Sequence, residues 1–364
     1  MTRAVRYDSL DAIRGFAALS VVTAHTISAG LVDNHQVWDW LEWSPIRFIY
    51  AGHQAVIMFF VLSGMALTIM INSMPRYSYS RYFIARAARL WPPYATSILL
   101  TVLVVCLLKY FGVHWNNGWA GILPNSFTYK DIYSSIIMLG SFNPFAINPP
   151  IWSLIQEMRI SIIFPLLLII VSRYSLYSVL FFLLISIACC LHFYGVQYAD
   201  LSKSLDSYVF TLSFLLPFSL GCHIGINIPI IREKVISLPR KVIWTSFIIS
   251  YSIYSYSFTV SWWASYRLAG DIVASCSSAV IICLSLKIDK SWFLSIGKYL
   301  GKISYSLYLT HMIALTILMT IGYKDNNSTY SILLMIPLSI AIAHIFTLTV
   351  DSASIKLSRS IYRR

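Results

Sequence analysis

The chain has 364 residues, 58% of them apolar and only 11% charged, yet it carries a formal net charge of +13. Soluble domains usually hold about 25% charged residues, so an ordinary cytosolic enzyme, a disordered chain and a secreted disulfide scaffold are excluded. At ~20 residues per spanning helix, about 211 apolar positions fill roughly ten spans. The fold class this predicts is all-α: a polytopic membrane protein, one domain over 1–364, with both termini cytoplasmic.

The first predicted span, 10–31, follows Arg3 and Arg6. Asp11, Arg14 and His25 interrupt its apolar run, which is also too long for the core of a signal peptide. Arg14 and His25 are eleven residues apart, about 20° past three full turns and ~16 Å along the axis. One polar stripe therefore runs along one helix face. Ionisable groups inside a span are costly and usually face a polar interior, which makes both functional candidates. The structural alternative is an Arg near a helix end and a hydrogen-bonded core His.

The second span, 48–71, has His53 near its outer end, placed to line an exterior vestibule. Ahead of the third span, 91–111, runs RYSYSRYFIARAARLWPPY, with Arg86 and Arg89 at i, i+3 on one helix face. Paired guanidiniums bind phosphate oxyanions through parallel donors; a topology anchor on anionic lipid is the alternative. Pro92 and Pro93 are expected to break or bend the chain as it meets the membrane. The exterior loop 112–151 contains an apolar segment, 132–147, that is too short to cross. Trp38, Trp40, Trp43, Trp115 and Trp119 lie in exterior loops and suit sugar stacking or an interfacial aromatic belt.

The fourth span, 152–172, holds Glu157 and Arg159. Glu157 is ~8 Å below its outer end, and His25 reaches a similar depth on a helix of opposite direction. An imidazole beside a carboxylate is an arrangement for general base catalysis; a structural ion pair of Glu157 with Arg14 or Arg159 is the alternative. Further spans follow at 175–194, 207–226, 242–260, 270–287, 303–322 and 330–350. The ninth carries His311 beside Tyr305 and Tyr308 at helical spacing, which suits a satisfied core histidine as well as a functional one. All six cysteines fall in spans and read as buried free thiols. No disulfide or metal spacing occurs, and no two histidines stand at i, i+4.

With the N-terminus inside, the segments 3–6, 76–89, 173, 232–241, 287–302 and 356–364 hold 19 Lys and Arg. Only Arg47, Lys130, Lys203, Arg267 and Lys324 lie outside. This asymmetry is the positive-inside signature. It accounts for most of the net charge, and its scatter over six short segments argues against a nucleic-acid partner.

Five blocks resemble acyltransferase family 3, integral membrane proteins that acylate bacterial surface glycans. Arg14 to His25 resembles the family's arginine, ten residues, histidine motif; FFVLSG (Phe59 to Gly64) resembles its second-helix signature. RAARLWPPY resembles its R-x-x-R segment, WSLIQEMRISIIFP its Trp-Ser-Leu…Glu block, and GKISYSLYLTH its late histidine block. They span roughly residues 8–311 in the family order.

The resemblance implies ten membrane helices, acetyl-CoA as a cytoplasmic acyl donor, and no metal. The implied acceptor is a hydroxyl of a surface glycan, such as O-antigen or exopolysaccharide, or a lipid-linked oligosaccharide. It further implies Arg14 and His25 as the catalytic pair, Arg86 and Arg89 as donor-binding residues, and Glu157 as the essential acid. Arg159, His311, Tyr305 and His53 are supporting candidates on position alone. Many members have a second acid after that glutamate; here Met158 and Arg159 follow. Many also continue into a periplasmic hydrolase-like domain, whereas 14 residues follow the tenth span here, so acceptor selection is expected to rest on the membrane domain. The expected location is the bacterial inner membrane, in contact with membrane lipid. Direct transfer and an acyl-His25 relay both remain open, and a transporter or flippase without acyl chemistry is the alternative class.

Overall fold

The computed structural model describes residues 7–30, 40–113, 127–143, 146–194, 201–258, 267–287, 292–324 and 328–363. All regular structure among them is helical. In order come α1 (Asp8–Gly30), α2 (Gly52–Asn72), α3 (Tyr79–Tyr110), α4 (Tyr129–Ile137), α5 (Trp152–His192) and α6 (Ser204–Ser213). Then follow α7 (Leu215–Ser237), α8 (Arg240–Tyr256), α9 (Arg267–Ser285), α10 (Trp292–Lys324), α11 (Ser328–Phe346) and α12 (Ser352–Arg363). A π-helical turn, Thr347–Asp351, joins the last two.

Among the described residues, eight helical runs are long and apolar enough to cross a membrane, and the chain is a multi-pass membrane protein. One of them, Pro149–His192, has 44 residues. That is ~66 Å of helix, twice a ~30 Å hydrocarbon layer. It breaks at Ser175 (φ 42°, ψ −116°) into two arms that coincide with the segments read as spans at 152–172 and 175–194. α8, with 17 residues, lies in the seventh such segment. Each of the ten segments overlaps helix, the sixth (207–226) lying across the junction of α6 and α7.

Two local expectations change. α3 runs unbroken from Tyr79 through Pro92 and Pro93, twelve residues earlier than the predicted span at 91. A helical proline leaves the carbonyl four residues back without its N–H partner. Those carbonyls are Ala88 O and Arg89 O, and the Ser354 hydroxyl of α12 is aimed at both, with Arg89 O at 3.3 Å. The segment 132–147, read as loop, begins inside α4, whose start is closed by a Thr128/Asp131 capping box. Trp91 Nε1 and Tyr94 OH donate to the Ile136 and Ser135 carbonyls at 3.0 and 2.6 Å, seating α4 on α3.

α1 packs chiefly along α10, and α2 along α7. Phe60, Phe164, Phe214 and Phe218, each no more than 2% exposed, fill the space between α2, α5 and α7. Between helices in lipid, close backbone approach and packing carry association, because lipid is as apolar as the core. Of the six free cysteines, Cys189, Cys190 and Cys222 are buried, but Cys106 and Cys276 are exposed. Those two are not the buried thiols that their sequence positions suggest.

Candidate active site

Gly15 of α1 and Gly301 of α10 set how these parallel helices meet. A Cβ on Gly15 falls 2.6 Å from Gly297 O and Gly301 N, and one on Gly301 falls 2.0 Å from Asp11 O. Only glycine permits this approach. Ten residues beyond each, ~15 Å along both helices, stand His25 and His311. Their rings meet at His25 Nδ1 and His311 Nε2, 3.1 Å apart.

The hydrogen bonds assign the protons. His311 Nδ1 lies 3.1 Å from the Leu307 carbonyl, which can only accept, so Nδ1 carries the proton and Nε2 of the neutral ring accepts. His25 Nδ1–H therefore donates to His311. His25 Nε2 keeps a free lone pair. His311 is fully buried, whereas His25 is partly open.

Glu157 is not the partner of His25. Its carboxylate accepts from Ser63 Oγ at 2.5 Å and from Arg86 Nη2. The reason lies just before α5. Asn148, Pro150 and Ile151 are buried, and Asn148 Nδ2 donates to Leu309 O of α10 at 3.2 Å. The chain has thus dipped into the bundle before α5 starts, and Glu157 is deeper than its count from the helix start suggests. Gly52 packs on Ala24 and Val21, so His53 marks the level of His25. Ser63 is ten residues, ~15 Å, further along α2, and Glu157 is at that depth.

Arg86 and Arg89 are both held by side chains of the bundle. Arg86 Nε donates to Ser161 Oγ at 3.1 Å beside its bond to Glu157. Arg89 pairs with Asp351 at 2.5 Å and lies 4.6 Å over the Tyr305 ring. The Tyr305 hydroxyl donates to Leu90 O at 2.9 Å. Both guanidiniums therefore stand ~15 Å further in than His25, near the level of Ser63, each with a carboxylate. Asp351 is not among the candidates named from the sequence; the π-helical turn carries it into the bundle, where it is 1% exposed. Arg14 lies 3.8 Å from Asp11 and interacts electrostatically with Glu157, Arg86 and Arg89.

Arg159 joins none of these groups. It donates to Ser207 O, Ser207 Oγ, Thr211 Oγ1 and Gly140 O at 2.7–3.0 Å and lies 4.6 Å from the Tyr208 ring centroid. It ties α5 to α6 and to the chain after α4. His53 Nε2 pairs with Asp271 at 2.7 Å. Trp40 and Trp43 are exposed, with Trp43 stacked on Tyr256; Trp38, Trp115 and Trp119 lie outside the described residues. No three His, Cys, Asp or Glu side chains gather into a metal site among the described residues.

The site thus has two parts, a neutral histidine pair and, ~15 Å deeper, a set of guanidinium–carboxylate pairs. The chain is similar to the acyltransferase MdmB of Streptomyces mycarofaciens, with 26% identity over 164 residues. That match covers 45% of this chain and 40% of the relative, so the chain spans less than half of that protein's length. No solved structure matches. An acyltransferase-domain family profile matches residues 7–348, which include every candidate residue except Asp351, and the chain belongs to acyltransferase family 3.

Proposed function

We propose that the chain is a membrane O-acyltransferase of the bacterial inner membrane. It moves an acetyl group from cytoplasmic acetyl-CoA to a hydroxyl of a surface polysaccharide such as O-antigen or exopolysaccharide. The observation that carries this reading is the histidine pair. His25 Nε2 has a lone pair and an accessible ring, and it takes the proton of the acceptor hydroxyl. His311 holds the tautomer from the buried side, the part a carboxylate plays in a serine protease triad. As His25 gains charge, its Nδ1–H bond to His311 becomes charge-assisted and strengthens.

Acetyl-CoA supplies an acyl carbon activated as a thioester. Arg86 and Arg89 suit its phosphates, because a guanidinium has five N–H donors and each carboxylate partner occupies only some of them. Glu157 acts on Arg86, whose Nε is held separately by Ser161, so it orients a donor-binding group. Arg14 adds a third guanidinium on the α1 face that leads to His25. A transporter or flippase gives no role to a ring nitrogen kept bare by a second ring.

The acetyl content of the surface polysaccharide, from cells with equal amounts of inserted wild-type or His25→Ala protein, tests this. The expected loss is at least ~100-fold, the usual worth of a general base. Acetylation at the wild-type level removes His25 from the chemistry.

A further inference from the structure

A second histidine dyad stands at the level of the first. Gly52 of α2 packs directly on Ala24 of α1, and His53 and His25 are the next residues. One residue turns a side chain by about 100° about its helix axis. Because α1 and α2 are antiparallel, the two turns carry both rings to the same side of the pair. Independent contacts agree. The His53 ring stacks on Trp152 at 5.8 Å, the adjacent Ser153 Oγ is 2.7 Å from Tyr308 OH, and the Tyr308 ring is 6.0 Å from His311. The first turn of α5 thus lies between the two dyads.

The chemistry of the second dyad is that of an oriented acceptor. Asp271 is 6% exposed and holds His53 Nε2 at 2.7 Å, while His53 is 21% exposed. A carboxylate oxygen accepts from Nε2–H, and in the tautomer with its proton on Nε2 the ring leaves Nδ1 as a bare acceptor. Nδ1 has no protein partner among the described residues. Phe258 packs edge-on against the ring at 4.6 Å, opposite in kind to the stacked Trp152, so the imidazole is held in plane and cannot swing away.

We propose that His53, held by Asp271, is an acceptor-positioning residue. Its Nδ1 accepts a hydrogen bond from a second hydroxyl of the carbohydrate whose first hydroxyl is deprotonated by His25. Two fixed nitrogens on one side of α1 and α2 then decide which hydroxyl of the sugar is acylated. The assignment rests on the acyltransferase reading and deepens it.

The test uses the full chain in detergent, acetyl-CoA, and the host's own polysaccharide after alkaline de-O-acetylation. His53→Ala is expected to raise the KM for polysaccharide about tenfold, the worth of one hydrogen bond, with acetyl-CoA affinity unchanged. His53→Gln, which keeps an acceptor atom, recovers part of the loss, and Asp271→Asn follows His53→Ala in direction. The acetyl group also spreads to a second ring position, read by NMR of the product. An unchanged KM with unchanged acetyl position in His53→Ala overturns the proposal. So does an equal loss of acetyl-CoA affinity, which marks a merely structural role. A wild-type protein that binds acetyl-CoA but never transfers acetyl to polysaccharide defeats the acyltransferase reading itself, and this assignment with it.

Discussion

The two ends of the polar interior use different chemistry for the same task of holding a side chain still. Towards the end that the charge asymmetry assigns to the exterior, His25 is held by His311, ring to ring, with no formal charge on either. About 15 Å further in, Arg86 is held by Glu157 and Arg89 by Asp351, charge to charge. A neutral pair in a low-dielectric interior loses one hydrogen bond when a partner is removed. A charged pair leaves an uncompensated ion, at several times the cost. Substitutions at the outer site are therefore expected to cut activity more than stability, and those at the inner site to cut both.

The largest stability effect is expected from Arg86→Ala. Glu157 is then left with Ser63 alone, and stability falls by ~3–5 kcal/mol, as for other broken buried pairs. A steep drop in melting temperature in detergent reads this out. Adding Glu157→Gln is expected to restore most of it, since the orphan charge is gone. If the double variant melts no higher than the single one, charge is not what binds the inner site. At the small end is Ser354→Ala, which leaves the carbonyls freed by Pro92 and Pro93 without their hydroxyl. The expected cost is ~1 kcal/mol with acetyl transfer retained; an unchanged melt shows that α3 tolerates its two prolines without α12.

Much of this was legible before any coordinates. Bilayer thickness dictates span length, so apolar runs locate the helices, and lysine and arginine report which ends share a side. The stripe of Arg14 and His25 follows from helical periodicity alone. What could not be read was set by residues distant in sequence. Nothing near Glu157 reveals that Asn148 reaches Leu309 O and draws the start of α5 inward, so its depth was misjudged and a false partner assigned. Nothing near Pro92 announces Ser354, 262 residues on. Nothing near Asp351 in the sequence announces the π-helical turn that brings it to Arg89. α4 is the exception, since its Thr128-x-x-Asp131 capping pattern was present in the sequence and went unused.

The central claim is that His311 makes His25 a base by taking its Nδ1 proton in a hydrogen bond. The turnover of His311→Ala and His311→Gln, with acetyl-CoA affinity measured alongside, tests it most directly. The predicted result is a kcat for His311→Ala ~100-fold below wild type, unchanged donor affinity, and partial recovery in His311→Gln, whose Oε1 still accepts from His25. Turnover by His311→Ala at the wild-type rate contradicts it.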